Sequence, residues 1–142
     1  MPDILHRVGI KAKANAVYET LTTLEGLRGW WITETKGKPT QGGVIDFIFC
    51  KMMVVEAKPG KLVRWQCVGG PKEWLGTGVS FQLVVKKGQT FILFKHTDWK
   101  EPVEFMYHCS TKWATFLLSI KSLLERGEGR PLPYDVKIEV GG

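Results

Sequence analysis

The chain has 142 residues, of which 44% are hydrophobic, and a formal net charge of +6. This length suits one domain with its own core, and we expect a single domain over residues 1–142 whose last part, 128–142, is an extended tail. The lysines are scattered over expected turns and strand ends, without a basic stripe or interleaved stacking aromatics. The charge therefore indicates a solvated surface, and we expect no nucleic-acid partner.

The N-terminal sequence MPDILHRVGI lacks the basic and then apolar layout of a signal peptide, and the chain contains no apolar run of about eighteen residues. The three cysteines, Cys50, Cys67 and Cys109, lie far apart in apolar runs, which favours buried free thiols. No CxxC motif or metal-spaced Cys/His cluster occurs. We therefore expect a cytoplasmic protein with no membrane contact, no metal and no cofactor.

Alternation from Ile4 to Ile10 predicts a first strand, with His6 at the sheet edge or at one end of a cavity. Helical spacing then predicts a short helix over Ala14–Leu21 and a second one over Leu24–Trp31. A break near Thr23 separates them, so the two helices should form a V.

From residue 32 onward, Gly and Pro punctuation predicts antiparallel hairpins, with strands near 44–49, 52–57, 61–68, 77–86 and 89–97. Apolar residues at steps of three and four predict one long helix over Val103–Glu125. Pro102 suits its first turn, and Gly127 suits a left-handed position after its last residue. This order of elements indicates an α+β fold with the long helix against one sheet face.

Alternation also predicts which side chains face that helix. In the strand 77–86 these are Val79, Phe81, Leu83 and Val85. In the strand 61–68, Val63, Trp65 and Cys67 oppose Leu62, Arg64 and Gln66. In the last strand, the set Ile92, Phe94 and His96 and the opposite set are both apolar, so alternation alone leaves that choice open.

Several segments, in this order, resemble one known superfamily: HRVGIKAKANAVYETLTTLEGLRGWW, GGVIDFIF, VVEAKPGKLVRW, VSFQLVVKKGQTFILFKHTDW and KWATFLLSIKSLLERGEGRP. The chain resembles the SRPBCC superfamily of START-like and birch-pollen-allergen-like domains, and within it the branch named after the activator of the heat-shock chaperone ATPase. The resemblance implies a helix-grip fold: a curved antiparallel sheet of about six or seven strands wrapped around a long C-terminal helix, with two short helices after the first strand. It also implies that Ile92, Phe94 and His96 face inward, and that a cavity lies between sheet and helix.

No catalytic constellation is legible in the sequence. His96 is the one weak candidate, because an imidazole in an apolar strand can act as an acid or a base, but a hydrogen-bonded structural histidine is the simpler interpretation. We expect His108 on the surface of the long helix, and Asp46 on the solvent face. Cys109 is only adjacent to His108 in sequence, and helix neighbours point in different directions. No serine lies in a G-x-S-x-G motif.

Six tryptophans in a chain of this length carry most of the functional signal. Aromatic walls with a few polar tips are typical of a pocket for a flat apolar ligand, although the same side chains can simply fill the core. We expect a mouth between Trp30-Trp31 and the Gly69–Gly78 loop. The candidate cavity residues are Trp30, Trp31, Phe47, Phe49, Trp65, Trp74, Phe81, Phe94, His96, Trp113 and Phe116.

Three functions remain open. The first is binding of a small, largely hydrophobic molecule in the cavity. The second is an enzyme of the polyketide cyclase/aromatase or hydrolase type, with His96 and either Tyr107 or Glu34 positioning the substrate in the same cavity. The third is a stress-related or chaperone-linked interaction module, with a homodimer or another protein as the partner.

Overall fold

The structure is a computed structural model that describes residues 2–141. Its elements are β1 (Ile4–Ile10), α1 (Ala14–Thr22), α2 (Leu24–Trp30), β2 (Lys36–Gly37), β3 (Val44–Asp46), β4 (Lys51–Lys58), β5 (Leu62–Gly69), β6 (Gly78–Lys86), β7 (Gln89–Thr97) and α3 (Glu104–Arg126). The seven strands form one antiparallel sheet in the order β1-β7-β6-β5-β4-β3-β2. The α+β helix-grip class expected from the sequence is confirmed.

The sheet's sidedness follows the predicted alternation. Val63, Trp65 and Cys67 of β5 are buried, and so are Ile92, Phe94 and His96 of β7, which confirms the inward direction that the resemblance implied. Val85 is the exception: it lies next to the β6–β7 turn and is exposed. The prediction that Val85 faces the helix is wrong, because the turn end of this hairpin reaches solvent.

The two short helices α1 and α2 form as predicted, with the break between them at Thr23. Thr23 caps α2 by accepting a hydrogen bond from the Gly26 N–H at 3.0 Å. A Cβ at Gly26 would lie 2.4 Å from the Thr20 Cα, so only glycine allows α2 to turn this closely back on α1. The two helices pack against each other, and both contact α3.

The long helix α3 is close to its predicted bounds. It ends at Gly127, which has a φ of 82° and donates its N–H to the Leu123 carbonyl at 3.0 Å, as a left-handed cap should. Its N-cap is Val103, so Pro102 lies outside the helix and not in its first turn, which corrects that prediction. The buried face of α3 carries Trp113, Phe116 and Ile120 among others.

The middle of the chain departs most from the sequence prediction. The strand expected at 44–49 stops at Asp46, because the chain turns at Ile48, whose φ is 70°. The two-residue strand β2 was not predicted, since it is too short to show alternation. Residues 128–141 contain no helix or strand, but they pack back on α2, with a parallel bridge between Ile32 and Leu132.

Candidate functional site

A pocket of about 170 Å³ lies between one face of α3 and four surrounding segments. The helix contributes Phe105, His108, Cys109, Lys112, Trp113 and Phe116, which are spaced by one, three or four residues and form one stripe. The other walls are Trp31 and Ile32 after α2, Phe49 from the β3–β4 turn, Trp74 from the β5–β6 loop, and Leu132. Phe49 and Leu132, 43% and 41% exposed, are the two exposed lining residues, so the mouth of the pocket lies at these side chains.

Only part of the predicted cavity set lines this pocket. Trp31, Phe49, Trp74, Trp113 and Phe116 do so, whereas Trp30, Phe47, Trp65, Phe81, Phe94 and His96 are buried but do not line it. Trp31 joins the two groups, because it stacks on Trp65 at 6.0 Å on one side and contacts Trp113 at 4.9 Å on the other. The deeper aromatic side chains therefore form a packed layer that supports the pocket walls.

Sequence reasoning missed Ile32, Phe105, His108, Cys109, Lys112 and Leu132 as pocket residues. The spacing of the α3 residues was a usable signal, because a single helical stripe contains all of them. Leu132 had no such signal. It reaches the pocket because Trp31 and Thr33 hold its backbone, with the Leu132 N–H donating to the Trp31 carbonyl at 2.6 Å.

Of the two loops that carry Phe49 and Trp74, only the Trp74 loop belongs to the predicted mouth, which the sequence placed between Trp30-Trp31 and the Gly69–Gly78 loop. The Asp46 carboxylate accepts the Ile48 N–H at 2.8 Å and fixes the turn that presents Phe49. Phe49 meets the Trp74 ring edge to face at 4.9 Å, and the Trp74 indole N–H donates to the Cys109 sulfur at 3.4 Å. These contacts close one side of the pocket with an aromatic pair.

His96 is fully buried and hydrogen-bonded through both ring nitrogens. The Trp113 indole N–H donates to Nδ1 at 3.1 Å, so the ring proton resides on Nε2, which donates to the Thr77 hydroxyl at 2.8 Å. That hydroxyl in turn donates to the Trp74 carbonyl at 2.6 Å. Burial lowers the pKa of His96 to about 3. The neutral imidazole therefore links β7 to the β5–β6 loop and to α3. His96 is thus a hydrogen-bonded structural histidine, the simpler of the two interpretations of the sequence.

The other groups considered for chemistry do not gather around His96. Tyr107 is 68% exposed and Glu34 is also exposed, and neither lines the pocket. His6 is half-buried, with Nε2 within 3.0 Å of the Ser110 carbonyl. The combination of His96 with Tyr107 or Glu34 that the enzyme alternative requires is therefore not formed.

The cysteines are free and buried, as predicted. Burial raises the pKa of Cys109 to about 11, and it also raises the pKa values of Cys50 and Cys67. A thiol with a raised pKa is a poor nucleophile at neutral pH. Cys109 therefore acts as a small apolar wall of the pocket and as an acceptor for Trp74.

Charged side chains lie along one side of the pocket and hold the segment after α3. Lys112 donates to the Asp135 carboxylate and to the Val136 carbonyl, the latter at 2.8 Å, and Lys137 bonds the other Asp135 oxygen at 2.9 Å. Burial raises the pKa of Asp135, but the hydrogen bonds from Lys112 and Lys137 outweigh this effect and hold the pKa below its ordinary value. His108 pairs with Glu139 at 2.6 Å, and its side chain is 39% exposed, close to the expected surface position.

A family model described as "Activator of Hsp90 ATPase homolog 1-like protein" matches residues 11–125. A solution structure of the Aha1 dimer from Colwellia psychrerythraea is 44% identical, covers 91% of this chain and 100% of its own, and superimposes with a TM-score of 0.84. Comparison with curated proteins gives no match.

Two more distant structures share the fold. SSP2350 from Staphylococcus saprophyticus is 17% identical, with 92% of this chain and 97% of its own covered and a TM-score of 0.76. CalU16 from Micromonospora echinospora is 19% identical, with 89% and 75% covered and a TM-score of 0.76.

Among residues 2–141, no helix is both long and apolar enough to cross a membrane. The family match covers most of the chain, and the C. psychrerythraea structure agrees with it in sequence and fold. The chain belongs to the family of Activator of Hsp90 ATPase homolog 1-like proteins.

Proposed function

We propose that this protein binds a small, largely hydrophobic molecule in the pocket between α3 and the Phe49 and Trp74 loops. The observation that carries the proposal is the pocket itself: its walls are mainly aromatic and aliphatic side chains, and its mouth is open between Phe49 and Leu132. Concave apolar sites with few polar groups are the usual binding sites of small molecules.

Binding is favoured over catalysis because the polar groups of His96 and Cys109 are not free to exchange a proton with a substrate near neutral pH. Both nitrogens of His96 are used by protein partners, and the thiol of Cys109 is protonated at neutral pH. General acid–base chemistry needs a group that can exchange a proton with the substrate near the working pH. Turnover of an aromatic ester or a polyketide-like substrate by the purified protein would support the enzyme alternative instead.

The test uses thermal unfolding and tryptophan emission during titration with flat apolar compounds. A ligand that binds only the folded state, at about one hundred times its Kd, adds about 2.7 kcal/mol to the free energy of unfolding. Cys109→Met lengthens a wall side chain into the pocket while keeping the sulfur, so it should abolish the response. Leu118→Met, at an exposed position of the same helix, is the matched control and should respond like the wild type.

A response that is equal in wild type and Cys109→Met would place binding elsewhere and contradict the proposal. No response to any compound would leave an interaction module as the better explanation of the exposed apolar side chains near the mouth. Besides Phe49 and Leu132, these include Ile48 and Leu75.

We also propose that the chain forms a homodimer. The support is the relative from C. psychrerythraea, which is described as a dimer and is 44% identical over nearly the whole chain. Light scattering after size-exclusion chromatography should give twice the mass of one 16.1 kDa chain. A mass of one chain at all concentrations tested would contradict this proposal.

A further inference from the structure

The volume of the pocket, its aromatic walls and the Lys112 ammonium limit the size, shape and polarity of a ligand that can bind there. We propose that the ligand is a neutral aromatic molecule of one ring or two fused rings whose hydroxyl or carbonyl oxygen accepts a hydrogen bond from Lys112 Nζ. This inference rests on the proposed binding function, and the experiment below separates a failure of the one from a failure of the other.

The size follows from the pocket volume of about 170 Å³. A cavity of about 150 Å³ holds one benzene molecule, whereas pockets for drug-sized ligands measure about 300–1,000 Å³. One substituted ring therefore fits inside, and a second fused ring can extend into the mouth between Phe49 and Leu132. A four-ring sterol or polyketide exceeds the space.

The shape follows from the aromatic walls. The Trp74 and Trp113 rings are nearly parallel, at 14°, and Trp31 lies 4.9 Å from Trp113. Aromatic rings attract one another in offset or edge-to-face arrangements with centroids about 4.5–7 Å apart. Flat walls of this kind favour a planar ligand over a branched or flexible one.

The polar contact follows from the bonding of Lys112. Its Nζ carries three N–H groups, of which Asp135 and the Val136 carbonyl take two. The same nitrogen lies 5.2 Å from the centre of the Phe116 ring, a pocket wall. Residues 2–141 provide no third hydrogen-bond acceptor for it, so its third N–H can serve a ligand at the pocket's edge. An oxygen acceptor on the ligand would complete the donor capacity of this half-buried ammonium.

The absence of ligand charge follows from the surrounding carboxylates. Asp135 is shared by Lys112 and Lys137, and Glu139 lies nearby on His108. Because acidic groups already compensate the lysines, a ligand carboxylate would gain little attraction and would lose its hydration on entering an apolar pocket. A phenol or a carbonyl avoids that desolvation cost.

The experiment titrates the full-length protein with naphthalene, 1-naphthol, 1-methoxynaphthalene, 1-naphthoate and progesterone, and follows the six tryptophan indole N–H signals by NMR. The Trp74 and Trp113 signals should shift with the bicyclic neutral probes, while that of Trp99, which does not line the pocket, should stay. The two oxygen-bearing neutral probes should bind about fivefold more tightly than naphthalene, as one net hydrogen bond allows. Progesterone and 1-naphthoate should bind at least tenfold more weakly than 1-naphthol.

Lys112→Met should reduce the affinity ratio of 1-naphthol to naphthalene to about one without weakening naphthalene more than twofold. Lys121→Met is the matched control: its ion pair with Glu125 lies on the same helix, and it does not line the pocket, so the ratio should persist. If Lys112→Met does not fold, the role of Lys112 is tested in the wild type by comparing the affinities of 1-methoxynaphthalene and naphthalene. 1-Methoxynaphthalene accepts a hydrogen bond but donates none, so tighter binding than naphthalene indicates a donor in the protein.

Equal affinity of naphthalene and 1-methoxynaphthalene would overturn the role of Lys112. Progesterone or 1-naphthoate binding as tightly as 1-naphthol would overturn the limit on size or charge, while the proposed binding function would stand. If none of the probes shifts an indole signal, the proposed binding function itself fails together with this inference.

Discussion

The pH dependence of stability gives a direct test of the role assigned to His96. The imidazole is fully buried, and its pKa in the folded protein is lowered from 6.5 to about 3. The unfolded chain therefore binds a proton below about pH 6.5, while the folded protein does not do so until about pH 3. The free energy of unfolding must fall as the pH decreases through this window, since the unfolded state binds more protons there.

The size of the effect follows from the pKa difference. Each pH unit within the window costs about 1.4 kcal/mol, so between pH 7 and pH 5 the wild type should lose about 2 kcal/mol through this residue alone. His96→Gln presents an amide oxygen to Trp113 and an amide N–H to Thr77 without a titrating group. It should retain most of the fold and lack this part of the pH dependence.

The assay is urea unfolding of the wild type and of His96→Gln at pH 7 and pH 5. For each protein, the decrease in the free energy of unfolding between the two pH values is measured, and the decrease in the variant is subtracted from that in the wild type. The subtraction removes the contributions of carboxylates and of the other two histidines, which both proteins share. Equal losses in the two proteins, or an imidazole NMR signal of His96 that titrates near its ordinary pKa, would refute the buried neutral ring.

Substitutions at four further positions, Trp113, Trp65, Ile48 and Asp135, test the structure in and around the pocket. Trp113→Ala should cost about 3–5 kcal/mol of stability, and Trp113→Phe should cost about 1 kcal/mol more than Trp65→Phe in urea unfolding. The reason is that the Trp113 N–H has a histidine acceptor, whereas the Trp65 N–H has no partner among residues 2–141; equal costs would argue against that hydrogen bond. Ile48→Gly should raise the melting temperature, because it relieves about 1 kcal/mol of left-handed strain at an exposed turn, and a decrease would show that the strain is absent. Asp135→Asn should cost about 2 kcal/mol at pH 7 by weakening its charged hydrogen bonds to Lys112, and the cost should shrink in acid as the wild-type carboxylate protonates.

Local patterns in the sequence determine most of the fold of this protein. Strand alternation places Phe81 on the buried face, and the steps of three and four along α3 place Trp113 there as well. For Phe94 alternation left both faces open, and the family resemblance indicated the buried one. These predictions succeed because period two and period 3.6 are backbone properties that each segment expresses by itself. Short elements cannot be predicted in this way. Strand β2 has only two residues, too few to show alternation. The turn after β3 places Ile48 in the left-handed region, which isoleucine rarely adopts.

Which residues line the pocket depends on the tertiary structure. Trp30 and Trp31 are adjacent in sequence, yet Trp30 donates its indole N–H to the Thr20 carbonyl in the core, while Trp31 lines the pocket. Leu132 arrives from beyond α3, because backbone hydrogen bonds to the segment after α2 fix it there. Local patterns alone predict an aromatic interior that faces a long helix. Only the packing of distant segments decided which aromatic rings meet solvent through the mouth, because that depends on contacts between residues far apart in the chain.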